Sequence, residues 1–183
     1  MNGEKIKKEI MEQREAKDKF FKYSPQSPIP YEKRSSFKGL NYYPVDLSLR
    51  FKLKLHQYEK SEKVKVQDTM GGIREYIRWG KFIFKIEDKI QTLQVYKSSP
   101  NEQGLWVPFK DETSGKETYG SGRYLDLNES SFKMNDDKWI LDFNAAYNPF
   151  CAYSTRYSCP YILPENCLPV KIEAGEKTPS GLH

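Results

Sequence analysis

The sequence predicts a mostly β chain: a single antiparallel β-barrel-like or sandwich domain, with an N-terminal amphipathic helix in front and a long proline-rich loop closing one end. Three observations carry this. Aromatic residues make up 14% of the 183 residues against an overall hydrophobic share of 37%, and Tyr and Phe favour half-buried pleated surfaces over helix bundles. From Arg50 onward apolar and polar residues alternate with a period of two, as in strands with one wet face. The runs are short and bounded by Gly, Asp, Asn or Ser, the spacing of an all-β barrel or sandwich. A chain of this length has room for one core. The expected division is a helix over 1–23, one β-rich domain over 24–177 and a tail over 178–183.

Taken in order, residues 3–21 place Ile6, Ile10, Met11, Phe20 and Phe21 near one face, with Lys, Glu and Arg elsewhere. That is a thin apolar stripe on a helix lying across the outside of the domain, ended by Tyr23-Ser24-Pro25 because proline cannot continue the hydrogen-bond ladder. Residues 24–49 are punctuated by proline, yet Phe37, Leu40, Tyr42 and Tyr43 are too apolar for a free linker, so this coil is expected to pack on the body. Phe51, Leu53 and Leu55 alternate with lysines and His56, and Val64 and Val66 with Lys63 and Lys65. Met70-Gly71-Gly72 reads as a turn. Residues 73–98 read as three strands, with a bend or bulge at Gly80 and a hairpin at Asp88-Lys89. LWVPF, RYLDL, WILDF and finally VKIEA complete about nine strands.

The net charge of +5 comes from lysines interspersed with acids, which describes a solvated surface rather than a nucleic-acid face. The one cluster that would contact nucleic acid is Arg74, Arg78, Lys81 and Lys85 with Tyr76 and Trp79. The first twenty residues hold no apolar run, so neither a secretory signal nor a spanning helix is expected there and a cytoplasmic location is. In that compartment the three cysteines would stay reduced. No cofactor motif is present. DETSGKETYGSGR, residues 111–123, lacks the glycine and hydroxyl spacing of a phosphate-binding P-loop. The Gly120-Ser121-Gly122 run is too short for a nucleophile elbow. With only His56 and His183 in the chain, a histidine-based triad is disfavoured.

What remains is a place. Residues 145–170 have no helix or strand period, and they contain Pro149, Pro160, Pro164 and Pro169, Tyr147, Tyr153, Tyr157 and Tyr161, and all three cysteines. A loop this long in a compact domain is usually functional or disordered, and its aromatics favour a lid packed over a barrel end. Cys151, Cys159 and Cys167 lack the paired spacing of zinc ligands; a three-thiolate metal site completed by Asp142 or His56 and a Cys151–Cys159 disulfide stay open beside simple burial. The glycine segment and the proline loop are expected to meet at a pocket for a small polar or anionic ligand. Lys116 and Arg123 would supply charge, Tyr119, Tyr124 and Tyr147 the walls, and Asn144 and Asn148 orienting hydrogen bonds. Asp142, held by Arg123, and Cys151 are the candidate reacting groups for a hydrolase-like or isomerase-like step. The alternative is a non-catalytic interaction or scaffold module in which the same residues stitch loops to the barrel end.

The segments FKDETSGKETYGSGRYLDL, LDFNAAYNPFCAYSTRYSCP and PENCLPVKIEAGEK, preceded by FKGLNYYPVDLSLRF, resemble the signature blocks of domain-of-unknown-function family 1684. The resemblance runs from about Lys17 to Lys177. It implies no reaction. It directs attention to Lys116, Tyr119, Arg123 and Tyr124 in the first block, to Asp142, Asn144, Tyr147, Asn148, Cys151 and Cys159 in the second, and to Asn166, Leu168, Gly175 and Glu176 in the third. Cys167 departs from the family pattern, which argues against a three-cysteine metal site and leaves Cys151 and Cys159 as the pair to explain.

Overall fold

The computed structural model describes residues 2–134 and 136–179; the expected tail lies outside the described residues from 180 on. Helix α1 spans Gly3–Tyr23, opened by the Asn2 side chain accepting from Glu4 N–H and closed at Ser24 ahead of Pro25. Its solvent side carries the i,i+4 pairs Lys5/Glu9, Lys8/Glu12 and Glu15/Lys19, solvent-exposed neighbours on one helix face. Its inner side buries only Ile10 and Phe21. Phe21 is enclosed by the rings of Phe37, Phe150 and Tyr153. Coil and proline loop are thereby joined to the helix in a small second core with Ile29.

The strands are β1 (Arg50–Lys54), β2 (His56–Gln67), β3 (Ile73–Ile86), β4 (Lys89–Lys97), β5 (Gly104–Phe109), β6 (Arg123–Asn128) and β7 (Lys138–Asp142). Strands β2 to β6 form a five-stranded antiparallel sheet in chain order, while β1 and β7 pair as a separate ribbon. Among the described residues the strands close no barrel. One apolar core joins the two sheets: Phe82, Phe84, Leu93, Val95, Val107, Phe109, Leu125 and Leu127 from the large one meet Leu141, Phe143 and the half-buried Phe51 and Leu53 of the ribbon.

Three expectations need correction. Residues 73–97 make two strands, not three. At Gly80 the ladder shifts register, and a Cβ there would meet the His56 carbonyl oxygen at 2.7 Å, so the strand bulges without breaking. The hairpin turn falls one residue earlier than expected, at Glu87 and Asp88, both left-handed with φ of 49° and 62°, as a two-residue turn matched to strand twist requires. VKIEA, residues 170–174, is not a strand. Three of its polar groups are met by side chains instead: Ile172 N–H donates to Asp111 Oδ2 at 2.6 Å, and the carbonyls of Ile172 and Ala174 accept from Arg123, while the Val170 carbonyl accepts from Glu112 N–H. Seven strands rather than nine result among the described residues, together with a short helix α2 (Glu129–Phe132) that no periodicity announced.

The proline loop is fastened along its second half. Thr69 N–H donates to the Cys159 carbonyl and Tyr161 N–H to that of Gln67, pinning it to the β2–β3 hairpin. Asn166, fully buried, reaches under it to the sheet. Its amide nitrogen donates to the carbonyls of Gln94 at 2.9 Å and Pro108 at 2.7 Å, and its oxygen accepts from Gln94 N–H at 2.8 Å. Of the four loop tyrosines Tyr153 is buried, whereas Tyr161 stands in solvent.

Candidate functional site

A cavity of about 330 Å³ opens between α1 and the β1–β7 ribbon. Ile6, Ile10, Arg14 and Lys17 line it from the helix, Tyr42 from the coil, Arg50 and Asp142 from the ribbon, and Asn144 and Glu176 from the chain beyond β7. The helical positions lie on one face because residues three and four apart are neighbours. Arg50 and Asp142 meet because they are directly opposite in the β1–β7 register; their side chains form a close ion pair. Asp142 Oδ1 is engaged as well, accepting from Asn144 N–H at 2.9 Å and from the Asn144 amide at 2.8 Å.

The opposite wall is built around Glu176, 1% exposed. One of its oxygens pairs closely with Lys17; the other accepts from Asn148 N–H at 2.8 Å and from the Tyr153 hydroxyl at 2.9 Å. Arg14 differs from both other cations. Its terminal nitrogens donate to backbone carbonyls, of Tyr43 at 2.8 Å and Asn144 at 3.4 Å. It forms no ion pair, and its Nε and the neighbouring Tyr42 hydroxyl are buried without a hydrogen-bond partner among the described residues. Burial pushes the Arg14 pKa down, against the pull of Asp142 and Glu176, and burial followed by the Glu176 charge pushes that of Tyr42 up.

The other expected ligand residues lie elsewhere. Lys116 is exposed on the glycine loop. Arg123 is enclosed, 0% exposed, and its expected partner is corrected: Asp142 pairs with Arg50, while Arg123 meets Asp111 at 3.5 Å and donates to the carbonyls of Ile172, Ala174 and Glu176. The reason is the alternation of β6, which turns Arg123 and Leu125 inward together. Gly122, just before it, has φ +94°, and a Cβ there would meet Ile162 Cδ1 at 2.1 Å and the Phe109 carbonyl at 2.6 Å, so only glycine lets the loop enter β6 so closely. Asn148 donates to the Lys177 carbonyl at 2.9 Å. The Tyr147 hydroxyl donates to Asp126 at 2.5 Å and that of Tyr124 to the Pro160 carbonyl.

Tyr119 belongs with the cysteines, its hydroxyl 3.8 Å from Cys151 Sγ. Cys151, Cys159 and Cys167 are all free, and among the described residues no group of three or more His, Cys, Asp or Glu side chains is placed to hold a metal ion. Of the basic cluster, Arg74 is paired with Asp68, and Arg78 with Glu62 and Glu165. No helix among the described residues is long and apolar enough to cross a membrane.

Sequence reasoning found Asp142 and Asn144, and the family blocks pointed to Glu176, but it missed Arg14, Lys17, Tyr42 and Arg50. One signal was available. The inward stripe of α1 runs Ile6, Ile10, Arg14, Lys17, Phe21, and two cations where an amphipathic helix should be apolar mark something polar beneath. Arg50 carried no local signal, since it acquires meaning only through strand register.

The comparisons with known proteins agree on kinship and name no activity. No curated protein matches the chain. The solution NMR structure of the uncharacterized protein from gene locus rrnAC0354 of Haloarcula marismortui matches with 34% identity and a TM-score of 0.73, over 96% of this chain and 95% of that one. The family model described as Protein of unknown function (DUF1684) matches residues 35–177. Fold, blocks and chain length thus coincide with one family, and the chain belongs to DUF1684.

Proposed function

We propose that the protein binds a small polar, anionic ligand of the carboxylate or phosphate class in the cavity between α1 and the β1–β7 ribbon. One observation carries the reading: of the three cations lining that cavity, Lys17 and Arg50 have carboxylate partners and Arg14 has none. A partly buried cation without a counter-ion is costly, and a guanidinium's planar fork suits the paired oxygens of a carboxylate or phosphate. The Tyr42 hydroxyl, also unpartnered, would donate beside it. The volume is at the lower end of small-molecule sites, about 300–1,000 Å³, so the ligand is small. Asp142 and Asn144 serve here to aim Arg50; with its oxygens already engaged, Asp142 acts as an orienting group rather than a base. In this reading residues 24–177 are one domain, sandwich-like in its two sheets, with the helix as the outer wall of its site.

For Arg123 and Asn148 a second reading, that they stitch loops together, is favoured by their bonds to backbone carbonyls. Thermal unfolding with inorganic phosphate and with citrate, at constant ionic strength, tests the primary reading. Ligand that binds only the folded state raises the midpoint by mass action, so a saturable rise is expected in the wild type and none in Arg14→Met. No rise with either anion, or the same rise in both proteins, overturns it.

A further inference from the structure

The proline loop holds a second concentration of chemistry, away from the helix cavity. Cys151 lies in the tight turn Phe150–Ala152. Cys159 is fixed on the far side of the loop, its N–H donating to Thr69 Oγ1 at 3.1 Å and its carbonyl accepting from Thr69 N–H at 3.0 Å. Between these anchors the chain doubles back until Cys151 N–H donates to Cys159 Sγ at 3.3 Å. A sulfur that close to the nitrogen is at most one further N–Cα bond, about 1.5 Å, from reaching the same distance of the Cys151 Cα, so the two side chains share the space a disulfide occupies. Both thiols are free. Cys159 lines a cleft of about 300 Å³ with the rings of Tyr124, Tyr147, Phe150 and Tyr157, and Arg74 contributes a cation to the same cleft.

We propose that Cys159 and Cys151 form a dithiol site for exchange with a small disulfide that carries a carboxylate. The Cys159 thiolate attacks one sulfur of the small disulfide, making a mixed disulfide at Cys159 and expelling the other half as a thiolate. Cys151 then gives up its proton and attacks Cys159 Sγ, forming the Cys151–Cys159 bond and expelling the second half. The protein pair is oxidised by two electrons, the small disulfide is reduced by two, and the two thiol protons end on the two released thiols.

The placement of the two sulfurs assigns these roles. Cys159 lines the cleft beside Arg74, where a small disulfide would enter, and Cys151 does not. Cys159 Sγ also accepts from the Cys151 backbone N–H, a contact that favours a thiolate, and the neighbouring Cys151 thiol holds the Cys159 pKa below the ordinary thiol value. Cys159 is therefore the attacking sulfur, and Cys151 is the thiol held beside it to resolve the mixed disulfide. The aromatic walls suit the apolar body of such a ligand, and Arg74, 40% exposed, would share its guanidinium between the ligand's carboxylate and its present partners, Asp68 and the Ser158 carbonyl.

The test uses the full chain carrying Cys167→Ser, which removes an exposed thiol outside the pair, with oxidised glutathione as probe and peptide mapping by mass spectrometry as readout. The expected product is a Cys151–Cys159 crosslink. Adding Cys151→Ser should leave one glutathione on Cys159, formed at a rate whose pH midpoint lies below the ordinary thiol value of about 8.5. Adding Cys159→Ser instead should slow adduct formation at least tenfold. The proposal fails if the Cys167→Ser protein, folded by its thermal transition, reaches no crosslink. It fails equally if the two serine variants take up glutathione at the same rate.

Discussion

Two arginines in this molecule have lost most of their water, and their surroundings differ in kind. Arg123 stands in a closed knot with its buried acid, Asp111, and three backbone carbonyls of the chain's last described segment. Arg14 stands at a cavity with two backbone carbonyls, and the buried acids there, Asp142 and Glu176, are paired with Arg50 and Lys17 instead. Each leaves its Nε without a partner, so the orphaned nitrogen alone distinguishes nothing. Space and a missing counter-charge do. A polar residue that completes a fold spends its hydrogen-bonding capacity on the chain itself, whereas one that serves a ligand keeps capacity in reserve next to a volume that can be filled.

The contrast is breakable by mutation, and stability is the first measure. Arg123→Met should show the largest effect, about 3–5 kcal/mol in denaturant unfolding, because it strands a buried carboxylate and three carbonyls. A loss under ~1 kcal/mol would mean that Arg123 is not the structural member of the pair. Asn166→Ala, a neutral version of the same stitching, should cost about 2–3 kcal/mol, since it leaves one N–H and two carbonyls of the sheet unmet; its midpoint should fall with an unchanged denaturant slope. Arg14→Met should show the smallest effect on folding, within about 1 kcal/mol, because removing a cation that lacks a buried acid strands no charge. If Arg14→Met proved as damaging as Arg123→Met, the cavity would be a second structural knot and the comparison would collapse.

How much of this was legible in the sequence depends on the kind of order each part has. The period of two named the strands because alternation is local, and Pro25 named the end of α1 for the same reason. VKIEA alternates as a strand does, yet Arg123 and Asp111 took its backbone groups, and no pattern inside five residues records that substitution. The densest run of glycines and charged residues, 111–123, drew attention to the knot. It is dense because building a tight entry to β6 needs Gly122 in a left-handed conformation and a buried ion pair next to it. The cavity recruits from α1, the coil, β1, β7 and the segment after residue 170. Its members are scattered mostly singly, and the family blocks single out Asp142, Asn144 and Glu176 but not Arg14, Lys17, Tyr42 or Arg50. The three places into which the expected single pocket divides are the helix cavity, the knot and the cysteine cleft, and they became distinct once strand register was known.

The helix that forms the cavity wall has few anchors of its own. Twenty-one residues of α1 bury only Ile10 and Phe21, and much of what else ties it down is the polar contact of Arg14 and Lys17. It is therefore the segment whose detachment should cost less than global unfolding, a separate opening unit in the sense of native-state hydrogen exchange. An anion seated between Arg14 and Arg50 would join helix to ribbon, and exchange of the α1 amides would then slow by more than that of the five-stranded sheet. Occupancy of the cavity would be written, residue by residue, in the protection of the wall that encloses it.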